Sequence, residues 1–144
     1  MRSRCALLLA CGLVLSACGD SPTPPSPGPL NLAGTWTGTW SFVSAGTLVT
    51  DSVTMTVGQN PSSETVGGPW SATGGAAGTV SFTPTADFTG TASISQTLLT
   101  GVNCAGNTTV TGTASASQIK FTLGTLTPTG LCQWATNQQF TFSR

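Results

Sequence analysis

Gly34-Thr35-Trp36-Thr37-Gly38-Thr39-Trp40-Ser41-Phe42 separates cleanly into two faces. Trp36, Gly38, Trp40 and Phe42 fall on one side, and Thr35, Thr37, Thr39 and Ser41 on the other. Side chains of a strand point alternately to opposite faces, so this period of two marks a half-buried β-strand with its indoles turned inward. The pattern repeats downstream, where Val49, Val53, Met55 and Val57 alternate with Thr50, Ser52, Thr54 and Thr56. Further runs cover 66–73, 79–83, 88–98, 108–114, 118–123 and 133–142, which makes eight strands. Turn signals separate them: Gln59-Asn60-Pro61, Gly74-Gly75, Pro84, Ala105-Gly106-Asn107 and Pro128-Thr129-Gly130.

Eight short strands joined by tight turns predict an all-β domain over 32–144, built as an antiparallel up-and-down barrel. Closure removes sheet edges that a chain with only 6% charged residues cannot guard with Lys or Glu. An eight-stranded barrel is just wide enough to be filled by side chains or to hold one small ligand. A two-sheet β-sandwich satisfies the same periodicity. Gly38, Gly90, Ala92, Gly112 and Ala114 have inward parity, so they either leave room for a cavity or relieve crowding. A membrane barrel alternates in the same way but needs strands of ~9–11 residues and aromatic girdles. The runs here are mostly shorter and Tyr is 0, so the apolar face is assigned to the inside of a water-soluble barrel.

Before the strands, Arg2 and Arg4 precede an apolar run from Cys5 to Leu15, and Leu15-Ser16-Ala17-Cys18 follows. A basic start, a short apolar run and small residues form a secretory signal, and the run is too short to span a bilayer as a helix. The tetrapeptide resembles the lipobox of bacterial lipoproteins. That resemblance implies removal of 1–17, acylation of Cys18 and a lipid-anchored place in the bacterial cell envelope. In lipoproteins of this kind an acidic residue directly after the cysteine biases sorting to the inner membrane; Gly19 holds that position and Asp20 the next, so the resemblance leans toward the outer membrane. Two or more acyl chains give stable anchoring. The segment 18–31 includes Gly-Asp-Ser-Pro-Thr-Pro-Pro-Ser-Pro-Gly-Pro, a disordered, Pro-rich stalk extended at ~3.1 Å per residue where it is polyproline-like.

The mature chain keeps Lys120 and Arg144 against Asp20, Asp51, Glu64 and Asp87, a net charge of −2. Nucleic-acid binding rests on clustered Lys and Arg, so that partner class is excluded. With Cys5 and Cys11 in the leader and Cys18 acylated, Cys104 and Cys132 remain and read as one disulfide in an exported chain. His is 0, which removes the commonest metal ligand and the common base for a Ser nucleophile. Asp51, Glu64 and Asp87 are the only carboxylates of the folded part; Asp51 has inward parity near a rim, and the other two suit turns. No catalytic residue, metal or cofactor is predicted, and the chain reads as non-enzymatic. The repeated Thr-x-Thr pairs have no fixed period and fit the outer face of ordinary strands.

Gly34-Thr35-Trp36, echoed by Gly38-Thr39-Trp40, resembles the G-x-W signature of the lipocalin and calycin group, and Phe140-Thr141-Phe142-Ser143-Arg144 resembles its closing feature. The resemblance implies a calycin-like barrel with Arg144 stacked on Trp36 or Trp40 at the closed end. It covers the two ends of the folded part, and the group's middle motif is missing. Trp70 and Trp134 are expected inward on strands as core; a functional reading sets Trp40, Trp70 and Trp134 around an apolar ligand. Two roles follow: holding a small apolar molecule or lipid inside the barrel, or contacting another envelope protein through a filled one.

Overall fold

The computed structural model describes residues 29–59, 64–98 and 101–144. The leader, Cys18 and nearly all of the stalk lie outside the described residues. Eight strands follow one another: β1 (Gly34–Ser44), β2 (Thr47–Val57), β3 (Val66–Ala72), β4 (Ala77–Phe82), β5 (Asp87–Thr97), β6 (Asn103–Ala114), β7 (Gln118–Leu123) and β8 (Thr136–Ser143). Each pairs antiparallel with the next and β8 returns to β1, closing an up-and-down barrel. No helix occurs among the described residues. The single closed ladder replaces the sandwich alternative.

Alternation does what the sequence dictates. Trp36, Trp40, Met55, Val80, Phe82, Phe140 and Phe142 are buried inside, and the Thr and Ser positions between them face solvent. Ala45 and Gly46 both take positive φ (48° and 81°), the two-residue turn whose twist matches the strands it joins. Two sequence expectations need correction. Ala105-Gly106-Asn107 is not a turn, because β6 begins at Asn103 and pairs with β5 through Gly106↔Ile94 and Asn107↔Ser93. Turn-forming residues are overridden there by eleven consecutive cross-strand pairs. Trp134 is not on a strand, since β8 starts at Thr136. Asn137, at φ 52°, sits where the β1–β8 register shifts between Ser41 and Val43, and Gln138 beside this bulge points inward with Phe140 and Phe142.

The small inward residues relieve crowding. A Cβ on Gly38 would collide with the Thr141 carbonyl and stand 2.8 Å from Phe142 Cα, so β1 and β8 meet there only because Gly38 lacks one. The space over Gly112 is taken by the Phe88 ring, whose Cζ lies 2.7 Å from where a Cβ would be. The β2–β3 seam is the shortest of the ladder, with Val53↔Ala72, Thr54↔Ser71 and Met55↔Trp70 in register and one isolated bridge, Gly58↔Gly67.

One end of the barrel, here the base, is closed by the chain before β1. Leu30 N–H donates to the Pro84 carbonyl at 3.0 Å, and Leu32 is fully buried. Gln59 holds both sides of this crossing: Leu32 N–H donates to its Oε1 at 2.7 Å and its Nε2 donates to the Leu30 carbonyl at 2.8 Å. Packing against the core therefore begins at Leu30, two residues before the boundary read from the sequence. The opposite end, the mouth, is covered by the strand-free stretch 124–135 between β7 and β8.

Candidate functional site

The four tryptophans divide between the two ends, and their indole nitrogens divide with them. At the base, Trp36 Nε1 donates to the Leu32 carbonyl at 2.8 Å, and the Arg144 guanidinium lies 4.5 Å from the Trp36 ring centroid. Arg144 also donates to three backbone carbonyls: Nε to Ala116 at 3.0 Å, and the two terminal nitrogens to Ala33 and Asn31 at 2.9 Å each. The stacking partner is Trp36, not Trp40. The Trp36 N–H and all three Arg144 nitrogens are paired here, which makes the base a fastening.

The mouth is different. Trp40 on β1, Trp70 on β3 and Trp134 just before β8 all present an Nε1 that is covered from solvent and has no hydrogen-bond partner. Gln138 on β8, 3% exposed, adds an unpaired Oε1. Its Nε2 donates to the Ala135 carbonyl at 3.1 Å, which fixes which end of the amide is free. A buried donor or acceptor left without a partner costs about 1–3 kcal/mol. Four of them within one end of a small barrel is a concentration that core packing alone does not explain.

Their placement follows from the register. Trp40 stacks on Phe140 (5.6 Å, 10° between planes) and meets Trp70 edge-on at 5.9 Å. Gln138 is the next inward residue of β8 above Phe140. Trp70 Nε1 and the Trp134 ring lie over Gly78 and Gly106, where a Cβ would stand 2.9 Å and 3.2 Å from them. Gly78 and Gly106 flank Ile94 in one register row, so the two indoles sit on either side of it. Below this layer the interior is a continuous stack of rings, with Phe121–Phe140 centroids 4.7 Å apart and Phe82–Phe88 4.2 Å apart.

Over the layer lies the stretch 124–135. Leu126 is buried and Trp134 half-buried against Gly106. The Cys104–Cys132 disulfide ties this stretch to the start of β6. Thr129 and Cys132 bond each other's backbone in a turn, with Gly130 at φ 59°.

The other groups of interest from the sequence stay apart. Asp51 is half-buried on β2 toward the mouth, in register with Trp40, its carboxylate against Gly74. Glu64 and Asp87 are exposed at the base, before β3 and at the start of β5. No carboxylate pair forms, and among the described residues no group of three His, Cys, Asp or Glu is placed to hold a metal ion. Lys120 is exposed on the outer wall. Clefts of about 240, 490 and 590 Å³ are lined largely by outward Thr and Ser and by glycine backbone. Gln138 and Leu126 were not singled out by sequence reasoning. Gln138 was legible, since it shares parity with Phe140 and Phe142; Leu126 lies on no strand, so no periodicity points to it. Comparison of the chain with models of protein families, with curated proteins and with solved structures finds no match, so what it does must be argued from these residues.

Proposed function

We propose that this chain is a non-enzymatic module of the bacterial cell envelope, anchored through an acylated Cys18, whose filled barrel is carried on the Pro-rich stalk and meets another envelope protein at its mouth. The observation that carries this reading is polarity of placement. The chain enters at the base through Leu30 and Leu32, opposite the mouth, and on this reading the mouth is the end turned toward a partner. Among the described residues, the two large apolar side chains that stand exposed, Leu48 at 69% and Leu131 at 70%, are both at the mouth, in the β1–β2 hairpin and the stretch before β8. A ring-filled interior supports a rigid displayed body, since interiors packed at crystal-like density transmit rather than absorb deformation.

A photo-crosslinking amino acid placed at Leu48 or Leu131 in whole cells, with Thr37 near the base as control, tests the partner. Adducts of defined higher mass from the mouth positions alone are expected; monomer at all three positions overturns the partner reading. Labelled fatty acid on the wild-type chain and none on Cys18→Ala is expected for the anchor, and an unlabelled wild-type chain overturns it.

A further inference from the structure

The unpaired atoms of the mouth specify a ligand chemistry. Three indole N–H groups, from Trp40, Trp70 and Trp134, offer donors and no acceptor; Gln138 Oε1 offers an acceptor and is held in that sense by the bond from its Nε2 to Ala135. A matching molecule brings acceptor oxygen to the indoles and an N–H or O–H to Gln138. Charge narrows the class further. Asp51, in register with Trp40, is the one ionisable group with inward parity at this end; Arg144 is committed at the base and Lys120 is outside. A carboxylate or phosphate would meet donors but also the Asp51 charge, with no cation to offset it. Phe42, Ile94 and Leu126 around the layer are apolar.

We propose that the mouth binds a small uncharged molecule with an amide-type head and an apolar body, its carbonyl accepting from the Trp40 and Trp70 indoles and its N–H donating to Gln138. The interior below is filled by rings, so the molecule enters by displacing the cover. That cover is Leu126 and Trp134, on a strand-free stretch tethered by the Cys104–Cys132 disulfide and, at its β7 end, by Gly124 N–H donating to the Thr109 carbonyl and Thr108 Oγ1 to the Thr125 carbonyl. The site does not rest on the lipid anchor; it shares the 124–135 stretch, Leu131 included, with the partner face, and goes beyond the displayed-barrel role.

The test uses the full chain labelled with nitrogen-15 at tryptophan, which has four indole N–H signals. The Trp36 signal, bonded to Leu32, is the internal reference. Octanamide is the probe and octanoate at neutral pH its charged counterpart. Saturable downfield shifts of the Trp40 and Trp70 signals by octanamide are expected, with the Trp134 signal changed as the cover lifts, Trp36 unmoved and octanoate at least tenfold weaker. Asp51→Asn should narrow that preference, and Gln138→Leu should weaken octanamide tenfold or more while the three indole signals of the free protein persist. Signals unmoved by octanamide overturn the proposal, as does magnetisation transfer showing long-lived water on the three N–H groups that octanamide does not displace. Equal binding of octanoate and octanamide overturns the assignment of an uncharged head.

Discussion

Arg144 covers the Trp36 ring at 4.5 Å while its guanidinium spans carbonyls from both sides of the base, Asn31 and Ala33 before β1 and Ala116 between β6 and β7. One side chain thus joins the crossing segment, the first strand and the β6–β7 turn. The planar fork of Arg suits this, because it stacks and donates in several directions together.

Arg144→Ala should lower stability by about 2–3 kcal/mol, since charge-assisted bonds and a ring contact are lost together. Arg144→Lys should recover less than half, because an ammonium cannot reach three carbonyls and stack. Urea midpoints with an unchanged m-value are the readout; a wild-type midpoint for Arg144→Ala would refute the fastening role.

Trp36→Phe and Trp40→Phe remove the same atoms from two buried sites, and the sites differ in pairing. The first leaves the buried Leu32 carbonyl without its donor; the second deletes a donor that has no partner. Trp36→Phe should therefore cost about 1–2 kcal/mol more. Equal losses in urea titrations would mean that the Trp40 N–H is partnered in solution.

Reduction of Cys104–Cys132, or the double change to Ala, should remove about 3–4 kcal/mol for a loop with sequence separation 28, and lower the thermal midpoint by roughly 10 °C. Calorimetry with and without reductant checks it. Trp134 fluorescence should become more quenchable by acrylamide in the same samples, because the bond tethers the cover of the mouth.

Gly106→Ala places a methyl 2.9 Å from Leu126 Cδ2 and 3.2 Å from Trp134 Cζ2. These are side-chain neighbours on a strand-free stretch, so the barrel should fold with a loss of about 1 kcal/mol while Trp134 moves outward. Acrylamide quenching and near-ultraviolet circular dichroism report it. Gly38→Ala, whose methyl would strike the backbone of β8, should fail to fold or lose more than about 3 kcal/mol.

The strands were legible wherever one face of the sheet is apolar and the other hydroxylated, since that contrast writes the period directly into residues such as Trp36, Trp40, Thr37 and Thr39. Legibility failed where packing outranks composition. Ala105-Gly106-Asn107 has the content of a turn, yet Gly106 is small because Leu126 and Trp134 lie on it, a reason that exists only once β6 and the cover have met. The indoles of the mouth were readable as inward or core; that three of them lack partners is a property of three-dimensional placement. Trp36 and Trp40 share a strand and a face, and only the position of Leu32 decides which has its N–H bonded.

A ring is as durable as its shortest join, and here that join is β2 with β3, three pairs long where β1–β2 and β5–β6 each run to eleven. The barrel is in effect a ribbon with a clasp. Its lowest-energy excursion is unfastening at Val53–Met55, which turns the closed wall briefly into an open sheet while both long hairpins persist. Amide exchange at Thr54, Ser71 and Thr73, whose N–H donates to the Ser52 carbonyl across the seam, should outpace the rest of the ladder, and assembly should finish there, since that closure joins strands already formed.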